Sequence, residues 1–137
     1  MDPDATEVFQ QFPAAAEYLT GILILHRDYG TVSNAQVAAW LGVTSPAVTQ
    51  SLGRLKKLGL VKQKRYGDIF LTEEGATMAR AVLRRHYLLE HLLVDALDYP
   101  WEKADEEAKR LQGMISDDLT EHMFVRFGRP ETCPHGN

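Results

Sequence analysis

Between Ser33 and Leu71 the apolar positions change period, from helical spacing to alternation, and the change predicts two helices followed by a hairpin. Val37, Ala38 and Leu41 share one face of a short helix opened by Ser33-Asn34-Ala35-Gln36. That run is a capping box, in which a hydroxyl and a side-chain amide satisfy orphan backbone donors, and Gly42 closes the helix. A second helix starts three residues later, with Ser45 as N-cap and Pro46 at the first helical position. Val48, Leu52, Leu55 and Leu58 form its apolar face, Ala47, Thr49, Gln50 and Arg54 the opposite one, and Gly59 ends it. Leu60 to Lys64 and Ile69 to Leu71 then read as short strands about a Tyr66-Gly67-Asp68 turn. Two short helices and a hairpin wing are the layout of a winged helix-turn-helix, whose partner is DNA.

Helices flank this core. Pro13 opens a segment from Ala14 to Arg27 carrying Tyr18, Leu19, Ile22, Leu23 and Leu25, with the acidic residues before it read as a frayed extension. Thr72, followed by Glu73 and Glu74 that suit the helix dipole, starts a long helix to about Leu97, stopping before Pro100. Trp101 to Gln112 follow, and Ser116-Asp117-Asp118 cap a last helix ending near Gly128. Leu111, Met114, Ile115, Leu119, Met123, Phe124 and Phe127 make an apolar surface wider than a small winged helix can cover. A homodimer is its expected sink, reading a palindromic operator with two half-sites. The expected class is mainly α: a winged helix-turn-helix over residues 1–72, a helical dimerisation and metal-site region over 73–128, and a tail or linker over 129–137.

The long helix is expected to bury Ala79, Leu83, His86, Glu90, Leu93 and Leu97. His86 and Glu90 interrupt that apolar stripe one turn apart. A buried carboxylate needs a cation, a donor or a metal, so the pair is either a structural contact or two ligands aimed at one point.

Charge sharpens the picture. The 137-residue chain is acidic, with a net charge of −4, yet Arg54, Lys56, Lys57, Lys62, Lys64 and Arg65 form a stripe without an acid. Such a stripe releases counterions on meeting phosphates, although charge runs also serve simply as solvated faces. No apolar run approaches the ~18 residues of a membrane span, and the acidic start lacks the order of a signal peptide, so a cytoplasmic protein is expected. The single cysteine, Cys133, excludes an internal disulfide; with His135 it offers metal or redox chemistry in the tail. Without a glycine-rich phosphate loop, an H-E-x-x-H motif or a nucleophile–base set, an enzyme is not expected.

Several motifs together carry a resemblance. They are Glu17-Tyr18-Leu19, Ser45 through Gln50, Arg54 through Val61, Leu71 through Gly75, Arg84-Arg85-His86 through Glu90, Glu107-Ala108 with Ser116-Asp117, and Cys133 through Gly136. The chain resembles the iron- and manganese-dependent repressors of the diphtheria-toxin-repressor and manganese-transport-regulator family. The resemblance implies that the helix from Ser45 to Arg54 enters the major groove. There Gln50 would meet bases, Pro46 and Ala47 thymine methyls, and Thr49, Arg54, Lys64 and Arg65 phosphates. It also implies that His86, Glu90 and Asp105 form a site for a divalent metal (Fe²⁺, Mn²⁺ or Zn²⁺), with Asp105 where relatives usually have histidine. The family's regulatory site aligns with Glu17, Lys109, Gln112 and Gly113, of which the last three are non-ligands. A degenerate site of this kind implies altered or lost primary metal sensing. Lys109 then either pairs with Glu17 in place of a metal or extends its ammonium to solvent. Two further readings stay open: a winged-helix regulator sensing haem, redox state or another small ligand, and a protein-interaction module that has lost DNA.

Overall fold

The computed structural model describes residues 5–65 and 67–128. The expected tail, with Cys133 and His135, and Tyr66 of the expected wing turn lie outside the described residues. The chain divides into two compact units, one up to Arg80 and one from Ala81. It is mainly helical, as the periodicity predicts.

The first unit contains α1 (Ala5–Gln11), α2 (Ala15–Tyr29), α3 (Asn34–Leu41), α4 (Ser45–Lys57), β1 (Val61–Gln63) and β2 (Ile69–Leu71). The acidic N-terminal segment is a helix in its own right and not a frayed extension. It buries Val8 and Phe9, and Phe12 follows it into the core against Tyr18, with ring centroids 6.4 Å apart. Leu19, Ile22, Val37, Val48, Leu52, Leu55, Leu60 and Ile69 complete that core.

Ser33 closes its capping box as expected: its Oγ accepts from the Gln36 N–H at 3.1 Å, and Gln36 Oε1 accepts from the Ser33 N–H at 2.8 Å. The cap of α4 is displaced by one residue from the expectation. Thr44, in extended backbone, accepts from the Ala47 N–H at 3.2 Å, which makes Ser45 the first helical residue. Leu58 is also more exposed than its spacing predicts, because it caps α4 instead of extending its buried face.

The strands pair antiparallel, Val61 opposite Leu71, Lys62 opposite Phe70 and Gln63 opposite Ile69. Asp68 fastens this wing to the segment before α3 by accepting from the Val32 N–H at 3.0 Å. Thr72 joins its base to α5 (Glu73–His91): its hydroxyl donates to the Gly59 carbonyl at 2.7 Å and accepts from the Gly75 N–H at 3.0 Å. The approach there is close enough that a Cβ on Gly75 would lie 2.0 Å from the Leu60 carbonyl oxygen.

The second unit takes the rest of α5, a π-helical segment (Leu92–Ala96), α6 (Trp101–Leu111) and α7 (Asp117–Arg126). Leu88, Leu89, Leu93, Ala104, Ala108 and Met123 form its core, with Leu111, Ile115, Phe124 and Phe127 packed against them. Ser116 caps α7 as expected, accepting from the Leu119 N–H at 3.1 Å. The long helix does not stay α-helical to Leu97. Its last residues widen into a π turn in which the Leu97 N–H donates to the Leu92 carbonyl, and Leu97 ends 62% exposed instead of buried. Among the described residues no helix is long and apolar enough to cross a membrane.

Candidate functional site

In the first unit, the helix-turn-helix presents Ser45, Pro46, Thr49, Gln50 and Arg54 to solvent, with Ala47 half-buried. Lys64 and Arg65 lie exposed beyond β1. Two residues that the sequence does not single out join these surfaces. Asn34, at the start of α3, donates its amide to Thr49 Oγ1 at 3.3 Å, and its Oδ1 accepts from Gln63 Nε2 of the wing at 2.9 Å. Gln63 in turn accepts from Lys56 Nζ at 2.6 Å. Helix α4 and the wing are thereby linked through side-chain amides, which hold geometry without adding charge. Arg54 is less available than its position implies. Its guanidinium stacks 4.1 Å from the Phe12 ring centroid and donates to the Gln11 carbonyl at 3.3 Å. Lys64 has its ammonium 5.0 Å from the Phe70 ring centroid.

In the second unit, α5 supplies His86 and Glu90 on one face, and α6 brings Asp105 to them. One ligand atom from each of the three lies within 4.8 Å of the others. His86 Nε2 contacts Glu90 Oε1 and, at 2.8 Å, Asp105 Oδ1. Glu90 is 2% exposed, so its carboxyl group has His86 and not bulk water beside it. Burial opposes a charged imidazole, but the hydrogen bond and charge of Glu90, then Gln112 and the charge of Asp105, outweigh it and hold the His86 pKa above its usual 6.5. Burial likewise opposes ionised Asp105, yet the charges of Lys109 and His86 and their hydrogen bonds hold its carboxyl below 3.8. One imidazole nitrogen and two carboxylates, partly dehydrated and converging, fit a first-row divalent cation.

The four positions that the resemblance assigns to a regulatory site have different surroundings. Glu17 is exposed on α2, and Gly113 is exposed in the turn after α6. The Lys109 ammonium lies 3.3 Å from Asp105 Oδ2 and 3.7 Å from Glu106 Oε1. Gln112 is buried, and its Oε1 is 2.9 Å from His86 Nδ1. The spacing of His86 and Glu90 was readable from one helix, but nothing local in the sequence announces Gln112.

A DNA-binding domain with a small hairpin wing, followed by a metal-binding and dimerisation domain, defines the class. Family models described as the iron dependent repressor N-terminal DNA binding domain and as its metal binding and dimerisation domain match residues 12–69 and 72–137. The chain belongs to the iron-dependent repressor family. It is 35% identical over 120 residues to the iron-dependent repressor IdeR of Mycobacterium tuberculosis, covering 88% of this chain and 52% of that protein. It is 31% identical over 120 residues to the diphtheria toxin repressor of Corynebacterium diphtheriae, covering 88% and 53%. Its fold is similar to that of a manganese-dependent transcriptional repressor in complex with manganese, with a TM-score of 0.80 and 34% identity over 88% of this chain and 56% of that one. The chain spans about half the length of the curated relatives it matches.

Proposed function

We propose that this chain is a homodimeric repressor that binds a palindromic operator through α4 and the wing. It carries a divalent cation on His86, Glu90 and Asp105 and has lost the standard form of the family's regulatory site. The observation that carries the reading is the convergence of a buried imidazole, a buried carboxylate and the half-exposed carboxylate of Asp105 in a member of this family. Gln50 and the half-buried Ala47 meet base edges, while Thr49, Lys64 and Arg65 grip phosphates. Arg54 reaches a phosphate by leaving its stack on Phe12. The altered regulatory site is supported by Lys109 and Gln112, whose polar atoms are engaged with Asp105 and His86. Apolar residues exposed on the second unit, among them Trp101, Met114 and Leu119, suit a dimer interface.

Two measurements on the full chain test this reading. Calorimetric titration with Mn²⁺, Fe²⁺ and Zn²⁺ should give one site in the native protein and none in His86→Ala; equal stoichiometry in both removes the site. In gel shifts of promoter DNA, Gln50→Ala should cost about 1–3 kcal/mol at its base position, and Lys64→Ala should weaken all sequences alike. Operator binding should persist in chelator. Strict metal dependence would instead restore a working regulatory site.

A further inference from the structure

The two nitrogens of His86 have different surroundings. Nε2 faces the carboxylates of Glu90 and Asp105, whereas Nδ1 faces the carboxamide oxygen of Gln112 at 2.9 Å. A carboxamide oxygen accepts and cannot donate, so the contact requires a proton on Nδ1. A neutral imidazole that keeps its proton there turns the lone pair of Nε2 toward the two carboxylates, which is where a shared cation would lie. The acceptor is well held. Gln112 is 7% exposed at the end of α6, where its N–H donates to the Ala108 carbonyl at 2.9 Å. Being neutral, it orients the ring without adding a third negative charge beside Glu90 and Asp105.

We propose that Gln112 is the positioning residue of the His86 centre: its oxygen keeps the proton on Nδ1, fixes the ring plane and commits Nε2 to the cation. The inference rests on the cation-binding reading above and deepens it by assigning a residue that shapes the site without touching the ion. Outer-shell partners of this kind matter because a ring free to rotate or change tautomer presents its lone pair only part of the time.

Zinc titration calorimetry of the native chain, Gln112→Leu and Gln112→Glu provides the first test. The leucine variant removes the acceptor at similar volume and should bind Zn²⁺ about 10- to 100-fold more weakly. The glutamate variant keeps an acceptor and should bind at least as tightly as native. Should the leucine variant fail to fold, long-range ¹⁵N–¹H spectra of zinc-loaded native protein decide, with the His86 proton expected on Nδ1 and zinc on Nε2. Equal affinity in native and leucine proteins, or a proton on Nε2 with zinc on Nδ1, overturns the proposal alone. A native chain that takes up no zinc overturns the cation reading and this inference with it.

Discussion

In the proposed site, a divalent cation would compete with a proton for the same nitrogen of His86. The metal-free protein resolves the competition in favour of the proton, since Glu90, Gln112 and Asp105 together outweigh the cost of burial and raise the imidazole pKa. A folded pKa above the unfolded value of 6.5 means a stabilising contribution that is complete below 6.5 and lost as pH rises through the folded value. Asp105, held below 3.8, contributes above that pH and loses its contribution as pH falls through its folded value. Between the two limits both groups stabilise the fold. Chelator-treated protein should therefore lose melting temperature as pH is raised from about 6 to about 9, and His86→Gln should lose less over the same range. Parallel melting curves for the two proteins would refute the linkage. The same chemistry makes cation uptake release a proton, so affinity should weaken in acid.

The helices and the wing meet through backbone contacts that single side chains can spoil. In the first turn of α5, a methyl on Gly75 would lie 2.0 Å from the Leu60 carbonyl oxygen, so Gly75→Ala must force helix and wing base apart. Overpacking of this kind costs about 1–3 kcal/mol or more. Gly53, inside α4, has nothing within 4 Å of the corresponding point. Gly53→Ala should stabilise by about 0.5–1 kcal/mol, because the unfolded chain loses freedom and the helix gains propensity. Urea denaturation of both variants checks the opposite signs. Elements whose signals lie within a few residues were legible in the sequence: the capping box at Ser33, the hairpin after Gly59, the cap at Ser116, and the one-turn spacing of His86 and Glu90. The choice between Thr44 and Ser45 as cap was not legible, since both residue types cap well and only the backbone decides. Gln112 and Gln63 acquire their roles from partners 26 and 29 positions away, and no local pattern encodes such pairings. Helix α1 was missed because Val8, Phe9 and Phe12 owe their burial to tertiary packing more than to propensity.

On the scale of the whole molecule, charge is divided between its parts. The chain carries −4 overall, while the residues from Arg54 to Arg65 hold six cations and no acid. At distances beyond about 8 Å in physiological salt the excess is screened, so the local stripe and not the total is what an approaching duplex would meet. The π turn at Leu92–Ala96 is one extra letter in a helical text: it lies after His86 and Glu90 and before Asp105 and Gln112, and it turns the point at which the chain leaves the long helix. Deleting Val94 should return the segment to α-helical pitch and turn the exit of the long helix by about 100° with a shift of about 1.5 Å. Asp105 and Gln112 would then swing away from His86 and Glu90. The deletion variant should lose zinc binding by calorimetry although none of the four residues has changed, and native affinity in it would show that the turn sets no register.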